Sequence, residues 1–155
     1  MIHYVTGDAT APIGSGKRII VHLCNDAGKW GKGFVLALSK RWPQPEAEYR
    51  SSLPKLGSVQ FTSVEPQLAV ANVIALHGIR SPSNPQPIDM PSLMTGLLLV
   101  ADRARVRGST IHMPRIGAGL GGETWETMEA VINKAFVGID VYVYTLPSAV
   151  DYGRI

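Results

Sequence analysis

Hydrophobic positions along the chain fall into two kinds of segment. Runs rich in Val, Ile or aromatic residues at 2–6, 18–23, 58–64, 69–75, 109–113 and 141–146 each predict a strand. Several are apolar at consecutive positions, as strands buried on both faces are. Between them apolar residues recur every three or four positions. Met90, Leu93, Met94, Leu97, Leu98, Ala101 and Ala104 form one helical stripe, and Trp125, Met128, Val131, Ile132, Ala135 and Phe136 form another. A third helix is expected from Gly33 or Phe34 to Trp42, stopped by Pro43 and Pro45, with a short helical turn over 46–53. Residues 81–91 contain Pro82, Pro85, Pro87 and Pro91 and read as an extended loop. Helices inserted between buried strands predict an α/β fold, with a largely parallel sheet covered on both sides.

A chain of 155 residues can bury one sizeable core, so one domain over 1–155 is expected. The opening residues lack a signal-peptide layout and no apolar run approaches the roughly 20 residues of a membrane span. A soluble cytoplasmic protein is the expectation. Cys24 is the single cysteine and the four histidines are scattered, which argues against a disulfide or a structural metal site. A net charge of +3, with Arg103, Arg105 and Arg107 at one helix end, is a mild attraction for phosphates and not a nucleic-acid signature.

The candidate chemistry lies in the glycine-rich turns. Pro114-Arg115-Ile116-Gly117-Ala118-Gly119-Leu120-Gly121-Gly122 joins a strand to a helix opening near Thr124, where main-chain N–H groups and the helix dipole favour an anion. Gly117, Gly119 and Gly122 satisfy the dinucleotide fingerprint G-x-G-x-x-G in form. The context disagrees. The turn comes late, Asp140 begins the last strand instead of ending a second one, and no second mononucleotide half follows, which argues against a dehydrogenase. A second such turn, 25–33, also follows a buried strand, and two turns of this kind can hold a pyrophosphate between them. Lys29 and Lys32 either add charge there or are solvated loop lysines. Asp8 either accepts from an exocyclic amine or caps a turn. Trp30 either covers a ligand or packs on the next helix. His22 and Cys24 read as buried core groups.

Thr6-Gly7-Asp8-Ala9-Thr10, Val21-His22-Leu23-Cys24-Asn25 leading into Gly31-Lys32-Gly33-Phe34, Met113 through Leu120 before Trp125, and Val143-Tyr144-Thr145-Leu146 together resemble a macrodomain. The likeness spans nearly the whole chain and points to the branch of terminal ADP-ribose protein glycohydrolase and yeast-type ADP-ribose-1″-phosphate phosphatase. It implies a three-layer α/β/α domain with a central mixed, mostly parallel sheet of about six strands. By the resemblance, Asp8 and Ala9 hold adenine and Asn25 orients the distal ribose as the catalytic position. Gly31, Lys32, Gly33 and Phe34 form the first ligand loop. Ile116, Gly117, Ala118, Gly119, Leu120 and Gly121 form the second, whose amides hold the diphosphate. No metal or cofactor is implied, and the partner is ADP-ribose or an ADP-ribosylated protein, met by a monomer.

Two departures bear on catalysis. In the glycohydrolase branch a lysine follows the strand ending near Ala75 and an aspartate follows the second loop's Gly-Leu; Leu76 and Gly121 stand at those positions. The deacetylating macrodomains carry an aspartate where this chain has Phe34-Val35. An ester from C1″ to a carboxylate is already activated, so water held against a phosphate can attack with the substrate as base. His77, Arg80 and Glu123 are further groups near the distal ribose, or else anchors of the proline loop and the helix end. The expected function is release of ADP-ribose from acidic side chains, or action on ADP-ribose-1″-phosphate. The alternative is a non-catalytic ADP-ribose reader, and a third reading is binding of RNA or another nucleotide through the basic surface.

Overall fold

The computed structural model describes residues 1–147; residues 148–155, the end of the expected domain, lie outside the described residues. In chain order the elements are β1 (Ile2–Thr6), β2 (Arg18–Asn25), α1 (Phe34–Arg41), α2 (Gln44–Arg50), β3 (Val59–Glu65), β4 (Leu68–Leu76), α3 (Met90–Arg107), β5 (Thr110–Met113), α4 (Trp125–Ala135) and β6 (Val141–Thr145). The strands form one six-stranded sheet in the order β1-β6-β5-β2-β4-β3. All neighbours are parallel except β3, which returns antiparallel against β4 through the tight turn at Pro66-Gln67. The expected mixed, mostly parallel α/β/α fold is what the chain adopts.

Strand period explains the continuous apolar runs. Ile19, Val21, Ala71, Val73 and Ala75 face the core under α3 and α4, while Ile20, Cys24, Leu68, Val70 and Ile74 face the core under α1 and α2. Asn72 is the polar exception in β4 and lies fully buried.

The helices differ from expectation in two places. Leu98 is 44% exposed, because the buried arc of α3 runs through Leu93, Gly96, Leu97, Val100, Ala101 and Ala104, and a step of one residue from Leu97 turns about 100° away. The short helical turn expected at 46–53 is instead α2 at Gln44–Arg50. Pro45 sits in its first turn, where a missing N–H costs nothing, so this proline starts a helix as well as following one. Asp89 and Thr124 cap α3 and α4 through their side chains, accepting from Ser92 and Thr127. Among the described residues no helix is long and apolar enough to cross a membrane.

The sheet order places a crevice. β2 and β5 are neighbours, yet the chain after β2 goes to the β4-β3 side and the chain after β5 goes to the β6-β1 side. Loops leaving the carboxyl ends of two such strands diverge and leave a cleft between them.

Candidate ligand-binding crevice

The loop after β2 (26–33, the first loop) and the loop after β5 (114–124, the second loop) both wall this cleft. A hollow of about 520 Å³ opens between Asn25, Gly28, Trp30, Lys32, Leu76, Arg80 and Leu120, within the roughly 300–1,000 Å³ of a small-molecule site. A deeper recess of about 50 Å³ continues beneath it, reaching His22, Phe34, Gly117 and Gly121. Lys29, Lys32, Arg50 and Arg80 line the larger hollow and no carboxylate does.

Asn25 organises the first loop. Its Oδ1 accepts from the amides of Ala27 (3.0 Å) and Lys29 (3.1 Å) and from the Tyr49 hydroxyl (2.9 Å), and its Nδ2 donates to the Lys29 carbonyl (2.9 Å). The Tyr49 hydroxyl also donates to the Asn25 carbonyl at 2.6 Å, and burial pushes this phenol up to about 12. Both polar ends of the Asn25 side chain are therefore spent on the loop. The chain enters α1 through Gly33 at φ 84, ψ −145, a backbone region that side chains rarely permit. Among the described residues, the amides of 30–33 donate to no acceptor.

The second loop's carbonyls have donors of their own: Gly117 accepts from the Glu123 amide (3.0 Å), Gly119 from the Gly122 amide (3.0 Å) and Arg80 Nη1 (2.6 Å), and Gly122 from Gln86 Nε2 (3.2 Å). The amides of 117–121 have no acceptor among the described residues. Gly122 lets the second loop lie against the proline loop. At φ 75, with an added Cβ only 2.9 Å from Gln86 Cα, Gly122→Ala should lower stability by about 1–3 kcal/mol, readable as a fall in the thermal midpoint.

The remaining expected residues fall as follows. Phe34 is buried at the start of α1 and Ile116 is buried in the core under α3 and α4, while Ala118 and Gly119 sit at the bend of the second loop. Asp8 and Ala9 line neither hollow; they follow β1, beyond β6 and β5 in the sheet. Asp8 Oδ1 accepts from the Thr10 amide and hydroxyl, both at 2.8 Å, and Arg41 lies 3.9 Å from its Oδ2. Trp30 packs on α1: it is 4% exposed, donates to Ser39 Oγ at 2.9 Å and sits edge-on to His22. His22 is a core histidine bonded to Asn72 Oδ1 at 2.6 Å, lowered to about 4 by burial, and burial pushes the Cys24 thiol up. Glu123 accepts from the Thr124 amide at the entrance to α4. Sequence reasoning missed Tyr49 and Arg50, whose contributions come from a helix that is distant along the chain from both loops.

His77 pairs with Asp26, Nδ1 to Oδ2 at 2.7 Å, while Asp26 Oδ1 accepts from the Gly78 amide at 2.7 Å. Burial alone would raise the Asp26 carboxyl, but the Gly78 amide and the His77 ring outweigh it and hold it below its ordinary range. His77 is raised above 6.5, first by that hydrogen bond. A raised histidine gives its full stabilisation below the unfolded value of about 6.5 and loses it as pH rises through the folded value. This latch between the end of β4 and the first loop should weaken accordingly. An NMR titration should show the His77 ring titrating above 6.5, and Asp26→Asn should return it to its ordinary value.

These features define an α/β protein with a cationic crevice at the switch point of its sheet. The chain is 46% identical to a macrodomain protein of Streptomyces coelicolor, with a TM-score of 0.82, over 94% of this chain and 99% of that one. It is 32% identical to a chromodomain-helicase-DNA-binding protein 1-like of Mus musculus, over 94% of this chain but 18% of the mouse protein. An ADP-ribose 1″-phosphate phosphatase of Candida albicans is 28% identical, over 94% of this chain and 100% of its own length. No protein-family model matches the chain. The chain belongs to the macrodomain family.

Proposed function

We propose that this protein binds ADP-ribose in the crevice and hydrolyses linkages at C1″ of the distal ribose. The observation that carries the reading is the pair of amide rows without protein acceptors, 30–33 and 117–121, in the two loops that wall one cationic hollow with no carboxylate in its lining. Main-chain donors of this kind suit a diphosphate, because they are pre-positioned and cost no reorganisation when the anion enters. In this reading Gly31, Lys32, Gly33 and Phe34 flank the distal ribose, the second loop holds the diphosphate, and Asp8 and Ala9 receive the adenine end. Asn25 is assigned a positioning role through the first loop.

Catalysis must then draw its base from the substrate. Leu76 is apolar and nearly buried at the wall of the hollow, and the hollow's lining holds no carboxylate or imidazole. A water between the distal ribose and a phosphate oxygen would attack C1″, the phosphate taking its proton as the carboxylate or phosphate departs. That same lining favours a second reading, an ADP-ribose reader without turnover.

Incubation with protein bearing ADP-ribose on glutamate, and separately with ADP-ribose-1″-phosphate, tests both. Release of either product supports the enzyme, and no release at protein concentrations that saturate binding leaves the reader. No calorimetric response to ADP-ribose itself removes both. Asp8→Ala should weaken ADP-ribose; an unchanged dissociation constant would remove the adenine assignment.

A further inference from the structure

At the other end of the sheet a second hollow, of about 190 Å³, lies under the last turns of α3. Strand register builds its floor. Ile19, Ala69 and Ser63 are adjacent partners across β2, β4 and β3, and Phe61 pairs with Ala71 one step along. Ala69 is the small residue in that row, so its position leaves a dip. α3 ends above it at Gly108, in the left-handed conformation.

The polar groups around this dip converge. Arg103 and Arg107 are one helical turn apart and so share a face of α3. The Arg103 guanidinium carbon lies over the Phe61 ring, 3.8 Å from its centroid. Lys17 enters from the start of β2. Among the described residues none of these three cations is ion-paired, and no carboxylate lines the hollow. Ser109 lines the hollow as well, from just before β5, and its hydroxyl makes no hydrogen bond among the described residues. Basic residues at a helix C-terminus are commonly explained by the helix dipole. That accounts for Arg107 but not for Lys17 and Ser109, which arrive on other elements.

We propose that this hollow is a second anion site, which takes a single phosphate group. Two guanidiniums, an ammonium and a hydroxyl supply charge and donors of the kind phosphate oxygens accept. The volume is below that of a drug-sized site and suits one such group, free or within a phosphodiester. Arg18 and Asn25 mark the two ends of β2, so the hollow lies on the order of 23 Å from the crevice at about 3.3 Å per residue. The site is therefore independent of the function proposed above.

The test is an amide NMR titration of protein held in saturating ADP-ribose, with inorganic phosphate in one arm and a thymidine trinucleotide in the other. Either probe should shift the amides of 17–19, 61–63 and 107–109. Saturation by inorganic phosphate identifies a free anion as sufficient, and a response to the trinucleotide alone identifies the phosphodiester; both support the site. Lys17→Glu combined with Arg107→Glu, two exposed positions, should weaken the response by about tenfold or more while the thermal midpoint holds. Arg107→Ala should give a smaller loss in the same direction. The proposal is overturned if neither probe moves those amides before ionic strength alone does, or if the double variant responds like the parent.

Discussion

Asn25→Ala should lower ADP-ribose affinity by about 100-fold or more, with turnover and binding falling together, and cost about 1–2 kcal/mol of stability. The side chain makes four hydrogen bonds within reach of 27–29 and Tyr49, and these give the first loop its shape. Removing them leaves the Ala27 and Lys29 amides and the Lys29 carbonyl to seek water. The loop then samples conformations in which the amides of 30–33 are no longer held in one arrangement, and the ligand must pay that ordering entropy on binding. The stability loss is smaller than the affinity loss because Asn25 is only partly buried. Calorimetry beside steady-state kinetics separates the roles. If the dissociation constant holds while kcat alone collapses, Asn25 acts on the reacting atoms and the loop account is wrong. Tyr49→Phe removes one anchor of the same loop and should move both quantities in the same direction, by less.

The elements were legible where local pattern is enough. Six apolar runs marked the six strands to within one or two residues at each end, since consecutive apolar positions have few explanations other than a sheet covered on both faces. The two glycine turns were legible for a related reason: each follows a buried strand, and together they wall one hollow. What did not show was anything set by partners far along the chain. Tyr49 reaches Asn25 across 24 positions, and Asn72 reaches His22 across 50. Arg80 was named as a group near the ribose, but its bond to the Gly119 carbonyl depends on where the proline loop lies. The arginines at the end of α3 showed in the sequence as a mild attraction for phosphates, but one helix shows only its own side of a hollow; Lys17 and Ser109 come from strand ends that the sheet order brings beneath it.

Lowering the pH from 7 to about 4.5 should cost this protein several kcal/mol of stability, through two buried histidines. His22 is lowered to about 4 by burial, against the opposing effect of its bond to Asn72. His112 is also lowered to about 4, by burial and then by Arg18, with its ring nitrogens bonded to Thr110 Oγ1 and the Tyr144 hydroxyl. Above 6.5 both are neutral folded and unfolded, so they contribute no pH dependence. Below 6.5 the unfolded chain takes up protons that the folded one refuses, and stability falls until the folded value is reached. A gap of that size is worth about 3 kcal/mol for each histidine at most, a large share of the roughly 5–15 kcal/mol typical of a domain. Urea unfolding at pH 7, 6, 5 and 4.5 reads the slope. His112→Gln keeps hydrogen-bonding groups near the ring positions without the titration, and should remove about half of it. The window itself identifies the source. Asp26 and Glu46 are held below their ordinary values, so their loss comes at lower pH. His77 is raised, so its contribution has the opposite sign and is already complete by 6.5. A stability that stays level between pH 7 and 5 would mean that water reaches these two rings and that neither is held neutral by the core.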